Sequence, residues 1–586
     1  MLQIIIIGNG GTRLALELAF GTVLEMEETS PAFDVELDAG TYSLPVEIPW
    51  TENNRRILQA PEFLESAPTG NPAFNVDILE NGLPVLEARL TLLSHRGLLD
   101  YSAGSTSGTV TGTASRFGRA LKGKKLPELN WGAPVPYWQP GTDARHWATK
   151  VMKEQVQGYN HIGFAPVFMS NFIDSDAPEG LSENMVNKVS QTGSQPWEFN
   201  VSSNLQQGDP EYPLHRTVPF LQLFWVLAKV AAAGGCQAQG EFLADPHYRF
   251  LHLFSNYALE RYNSQREDAN RALFYENHVP PVLVVDFLMA LQNTFNLYLE
   301  FPTNGLLSIR SRNRLLTAPG EDFTPYCDAN FETLERTSFG AKLEWQWDGA
   351  DSLVGEQVHE DALKKVRASL RNFGDLVAWS PANSPQEGDI VYLINQNFYV
   401  RFDAVFGWSY YSEGQLPYTT KEGESKFPAP VSPLLTGIYS DPSQGVNNSR
   451  YCAAAGNAGS YYNSQGKLVK KDFGLRLFYI QRWQTGAPAN RYNEPASFVN
   501  ALADAGDLRV RTGLSWNGPN GLVEKEWKPW LRALDEGVTV KANFRGKVPP
   551  FGEPIFIKGV KYLVKQRRRK IGAGQETAGE MELLRL

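Results

Sequence analysis

Two alternating apolar runs, FNVDILE and LPVLEARLTLL, are separated only by Asn81-Gly82. Both turn residues tolerate positive φ, so the pair makes a tight reversal whose twist suits antiparallel strands. A lone hairpin is marginal in water, so its apolar face must be covered by further sheet. The flanking sequence supplies that sheet. LQIIIIGNGGTRLALELAF reads as two β-rich segments around a Gly-Asn-Gly-Gly turn, and SLPVEIPWTENNRRIL as extended chain ending in a short helical turn. The first 115 residues are therefore expected to be mostly strand. Residues 102–126 are rich in Gly, Ser and Thr and then basic, which predicts a linker and the first domain boundary.

The middle of the chain mixes both periodicities. Residues 143–157 predict a helix with Thr142 or Asp143 as its N-cap. Residues 218–233 predict another, with Phe220, Leu223, Phe224, Leu227 and Ala231 on one face and Gly234-Gly235 ending it. A third runs from Val284 to Asn296, followed by the strand LYLEF, an Asn304-Gly305 turn and the strand LLSIRSR. A helix is predicted over 359–372, then YLINQNFYVRF and several aromatic, loop-rich segments. In NGLVEKEWKPWLRALDEG, Val523, Trp527, Trp530, Leu531 and Leu534 fall at helical spacing, and Pro529 should restart or kink the helix. VTVKANF, PIFIKGVKYLVKQRRRK and MELLRL close the chain as strands. No fixed-period repeat is present.

Composition narrows the class. A length of 586 residues suggests roughly four domains, at about 150 residues each. With 42% hydrophobic and 20% charged residues, the chain is not a disordered one. A net charge of -9 over this length gives no general affinity for nucleic acid or anionic membranes. Cys236, Cys327 and Cys452 form no CxxC pair, which fits a reducing compartment or indifference to redox. Leu2 to Ile7 is too short for a secretory core and has no basic residue before it. Val218 to Gly235 is interrupted by Gln222 and Lys229 and reads as a core helix, not a membrane span. A soluble chain made in the cytoplasm is expected.

Catalytic chemistry finds little support. Gly8-Asn9-Gly10-Gly11 lacks the spacing of a dinucleotide loop, and TRLALELAF after it alternates like a strand instead of opening a helix. The histidines (His95, His146, His161, His215, His247, His252, His278 and His359) include no pair at the i, i+4 spacing that a helical zinc site needs. The GSTSG of residues 104–108 puts Thr where a nucleophile elbow needs Ser and reads as linker. Asp174 and Asp176 could flank a glycosidic bond, but a solvated loop explains them as well. The basic run from Lys565 to Lys570 extends a strand and has no interleaved aromatic residue, so it reads as a subunit contact or a solvated strand end. No catalytic, cofactor-binding or metal-binding residue is assigned, and no cofactor is expected.

The order of the segments carries more information. SPAFDVELDAGTYSLPVEIPWTENNRRIL, the Asn81-Gly82 hairpin, VPFLQLFWVLAKVAAAGGCQAQGEFLADP, NYALERYN, VVDFLMALQNTFNLYLEFPTNGLLSIRSR, DFGLRLFYIQ, GLVEKEWKPWLRAL and IFIKGVKYLVKQ follow one another along nearly the whole chain. This series resembles the tail hub, or baseplate hub, proteins of tailed bacteriophages and prophages. The resemblance implies a β-rich α+β fold, with two tail-tube-like β-barrel domains at the chain ends and α+β domains between them. The implied division is an N-terminal barrel (1–115), an α+β middle domain (116–320), an aromatic, loop-rich α+β region (321–505), and a C-terminal barrel with a packed helix (506–586).

It further implies a structural virion protein and not an enzyme: a homotrimer joining a sixfold tail tube to a threefold spike or tip. The partners would be its own copies, the tail tube or distal tail protein, the spike or tip protein, and the tape measure protein, with no specific nucleic acid. The location would be the virion tail, after assembly in the host cytoplasm. Because the sequence stops at Leu586 just after the closing strand, spike and enzyme functions are expected to belong to other proteins. Two other readings stand beside it. One is a tail-associated cell-wall hydrolase, prompted by the scattered acids. The other is a carbohydrate-binding adhesin, prompted by GWSYYSEG and GSYYNSQG.

Overall fold

The structure is a computed structural model of the chain. It describes residues 2–8, 11–33, 41–58, 72–97, 104–112, 114–136, 161–165, 167–169, 185–187, 189–190, 198–199, 217–246, 248–259, 272–301, 305–334, 341–345, 366–371, 373–394, 398–403, 407–411, 418–419, 425–429, 432–433, 435–439, 450–455, 461–462, 468–469, 473–482, 493–497, 522–572 and 579–586. The fold is mixed α+β and mostly sheet. Among the described residues its largest element is a 14-stranded sheet, built from both ends of the chain and from strands within residues 321–333.

At the N-terminal end, Leu2–Ile7 pairs with Arg13–Ala15 on one side and Ala73–Glu80 on the other. The first pairing bears out the hairpin reading of the glycine-rich turn, although the second strand is only three residues long. Ala73–Glu80 and Leu83–Gly97 form the expected hairpin, with Asn81 at φ 53° and Gly82 at φ 80°. Val46–Pro49 leads into the short helix Glu52–Leu58. Inside the helix Asn54 is fully buried; its amide donates to Glu17 O and Pro49 O and accepts from Glu17 N.

One expectation fails here. Gly104–Gly112 is a strand paired along Leu83–Gly97, and Ala114–Leu121 is a helix, so this stretch is not a linker. The small residues are there to fit. A Cβ on Gly108 would lie 2.7 Å from Leu90 Cδ1 and 3.2 Å from Thr91 O. Thr106 and Val110 are fully buried.

At the C-terminal end, Val538–Phe544, Val560–Ile571 and Gly579–Arg585 form an antiparallel set, extended by Ile555–Ile557 and by Cys327–Thr333. Among the described residues, a single strand pairing joins the two sets: Leu24–Thr29 runs antiparallel to Gln566–Ile571. The strand path runs from Arg13–Ala15 to Cys327–Thr333 and, among the described residues, does not close on itself.

Between the chain ends lies the largest apolar core. Helices Ala114–Leu121, Leu223–Ala233 and Val284–Phe295 meet there. The second of these starts later than predicted, because Phe220–Gln222 is a strand pairing with Ile162–Gly163 and Leu251–Leu253. Val284–Phe295 ends at Asn296 in the left-handed conformation (φ 52°), and the hairpin Leu297–Glu300/Leu306–Ser311 follows as predicted. Part of the helix predicted over 359–372 is also corrected. Val366–Leu370 is a strand parallel to Ile390–Leu393, and the helix runs over Phe373–Asn383. The alternation of Val366, Ala368 and Leu370 with polar residues has the period of a strand. Residues 359–365, the helix predicted over 143–157, and Asp174 and Asp176 lie outside the described residues.

The helical stripe near the C-terminus is a wedge between cores. Val523–Trp527 winds as a π-turn and Lys528–Glu536 as an α-helix, so the change of winding falls just before Pro529, whose ring tolerates a first-turn position. Trp527 (1% exposed) enters the middle core. Trp530 (3% exposed) packs with Leu563 and Leu584 of the closing strands and with Ala32 and Tyr298.

Candidate functional site

The most distinctive chemistry lies where the chain ends meet. Leu24–Thr29 reads LEMEET and alternates buried and half-buried positions. Leu24, Met26 and Glu28 point inward, while Glu25 and Glu27 point outward. Opposite them lies the basic run: Ile571 faces Leu24, Lys570 faces Glu25, Arg569 faces Met26, Arg568 faces Glu27 and Arg567 faces Glu28. Register and charge therefore coincide.

Each acid on this strand has a cationic partner. Outside, Lys570 pairs with Glu25 at 2.6 Å and Arg568 with Glu27 at 2.6 Å. Inside, Glu28 (2% exposed) takes both Arg567 and Arg569; the Arg569 Nε–Oε2 distance is 3.0 Å. Burial pushes the Glu28 carboxyl up, but the charges and hydrogen bonds of the two guanidiniums outweigh it and hold it below the usual range. Arg567 also donates to Pro549 O at 3.0 Å and lies over the Phe551 ring. Four of the five cations of the basic run are thus paired with an acidic strand of the same chain, while Arg568 and Lys570 also keep contact with solvent.

This inward triad divides one sheet into two cores. On one side, Leu2, Ile4, Ile6, Leu24, Met26, Val76, Ile78 and Ile571 belong to the N-terminal cluster. On the other, Val540, Phe544, Ile555, Tyr562, Val564, Met581 and Leu583 form the C-terminal one. Between Val564 and Ile571 the basic strand offers no apolar side chain, and a bulge between Val564 and Gln566 marks the change.

The outer strands of the sheet are the second feature. All three residues of Arg13–Ala15 are exposed, Leu14 points to solvent, and Phe20 on the following turn is wholly exposed. At the far end, Cys327–Thr333 pairs on one side with Val538–Phe544. Among the described residues each of these strands has one strand neighbour, although on the first the Ala15 carbonyl already accepts from Asn53 Nδ2 at 3.1 Å.

Several other polar groups pair internally. Glu526, in the π-turn, accepts from Tyr248 Oη at 3.3 Å and Ser311 Oγ at 3.4 Å, and burial raises its carboxyl pKa. His161 stacks on Trp225 with centroids 4.2 Å apart and bonds Tyr275 Oη at 2.8 Å. Burial, helped by the Lys229 charge, lowers its pKa to about 4. His252 bonds Phe250 O and His278 bonds Ser255 Oγ. His146, His215, His247 and His359 lie outside the described residues. Among the described residues no group of His, Cys, Asp and Glu could hold a metal ion, and no helix is long and apolar enough to cross a membrane.

No protein-family model matches the chain, and no curated protein matches it. Two solved structures align over its full length. The tail protein from Neisseria meningitidis MC58 is 8% identical, with 96% of its own chain covered and a TM-score of 0.28. The prophage MuSo2 43 kDa tail protein from Shewanella oneidensis is 8% identical, with 98% covered and a TM-score of 0.31.

Proposed function

We propose that this chain is a structural protein of a phage-type tail, the hub that joins a sixfold tube to a threefold spike or tip. The observation that carries the reading is the pairing of two sheet units, one from each end of the chain, each with its own core. Two such units per subunit supply six positions when three subunits close a ring. The ordered series of segments that resembles tail hubs supports the same reading, with the chain divided at residues 115, 320 and 505 and a barrel at each end.

In this proposal the edge strands Arg13–Ala15 and Cys327–Thr333 lie where the N-terminal unit of one subunit meets the C-terminal unit of the next. Heterologous contacts of this kind close into a ring only when the rotation between neighbours is right. Tube, distal tail, spike and tape measure proteins are the proposed partners, and the virion tail the proposed location. No reaction is assigned to the chain.

Gold-labelled antibody against the chain, applied to purified particles, tests the placement. Label at the junction of tube and tip is expected; label confined to peripheral fibres, or none, would overturn it. A cell-wall digestion assay addresses the hydrolase reading. Lysis by the purified protein that one acid-to-amide substitution abolishes would replace the structural assignment.

A further inference from the structure

We infer that the seam between Leu24–Thr29 and Gln566–Ile571 is a joint, at which the two sheet units shift against each other while both cores stay packed. Three observations carry it. The seam is the one strand pairing between the units among the described residues. Its inner face is ionic over Glu28, Arg567 and Arg569, with Met26 of the N-terminal core as its one apolar side chain, and its outer face is ionic over Glu25, Glu27, Arg568 and Lys570. The bulge between Val564 and Gln566 lies where the basic strand leaves the C-terminal core.

The physical reason is the difference between packed and charged contacts. Interdigitated apolar side chains fit in one arrangement and resist sliding. Long guanidinium side chains re-pair over several geometries, and here two of them share one carboxylate. Apolar anchors bound the charged stretch: Leu24 and Ile571 at one end, and Phe33 against Trp530, with ring centroids 5.3 Å apart, at the other. Movement is thereby confined to the section between them.

Hydrogen exchange on the full chain, read by mass spectrometry at neutral pH, tests the joint. The amides of Met26, Glu28, Arg567 and Arg569, which by the register point across the seam, are expected to exchange about tenfold faster than those of Leu2–Ile7 and Val538–Phe544, which belong to the cores on either side. Glu28→Gln should speed the seam further and leave it faster than both reference strands. The apolar variant Glu28→Leu/Arg567→Met/Arg569→Leu should slow the seam to the rate of its neighbours. Seam amides within twofold of the reference strands in the unaltered protein would overturn the inference, and so would a Glu28→Gln seam that exchanges no faster than the unaltered one. The measurement on the unaltered protein decides the matter even if a variant fails to fold.

Discussion

Glu28 sits between the guanidinium groups of Arg567 and Arg569, partners separated from it by 539 and 541 residues of sequence. One buried carboxylate therefore ties the first sheet unit to the last. Breaking a buried pair by removing one partner is costly, because the other charges stay behind. Glu28→Gln should destabilise the protein by about 3–5 kcal/mol. Urea unfolding followed by tryptophan fluorescence checks this. An unchanged midpoint would show that the triad adds nothing to stability.

The same residue sets a pH dependence. In the folded state its carboxyl pKa lies below the ordinary value of 4.5, so the unfolded chain takes up the proton first as pH falls. The stabilisation is present above the unfolded pKa and disappears as pH drops through the folded one. Besides Arg567 and Arg569, the acid Glu80 interacts with Arg569 and belongs to the same balance. The stability gap between the unaltered protein and Glu28→Gln should be constant above about pH 5 and shrink below about pH 4. A gap that widens in acid would contradict the sign.

His161 behaves in the opposite chemical sense but with the same slope. Its folded pKa of about 4, against 6.5, means that the buried ring stays neutral while the unfolded chain protonates. Its contribution is complete above pH 6.5 and is lost as pH falls toward 4. An NMR titration should find the ring neutral at about pH 5; a pKa near that of free histidine would mean that the stack on Trp225 is open to water.

Trp527 is 1% exposed and reaches the middle core from the π-turn. Replacing it with Ala should cost about 3–5 kcal/mol. A loss under about 1 kcal/mol in reversible unfolding would place this face outside the packed interior.

How much of this was legible in the sequence follows from the range of each interaction. The Asn81-Gly82 hairpin, the helix ending at Asn296 and the stripe around Trp527 are written in a few adjacent residues, and their periodicity sufficed. Gly104–Gly112 failed because its small residues answer to Leu90 and Thr91 on a neighbouring strand, which local composition does not reveal. The basic run was visible, but its meaning was not. Nothing near Lys565 says that the LEMEET strand over 500 residues earlier supplies Glu25, Glu27 and Glu28 in matching register. Composition alone cannot tell a charged strand awaiting solvent from one awaiting its own chain.

The central claim is that three copies of this chain form one ring on the tail axis, each giving two sheet units to a sixfold arrangement. The measurement that tests it most directly is an averaged electron cryomicroscopy reconstruction of the assembled particle, since ring closure is expected to need the tube or spike as template. The account predicts threefold symmetry at this layer, a central opening, and N-terminal units alternating with C-terminal units around it. Six copies per ring, or attachment as a fibre away from the axis, would contradict it.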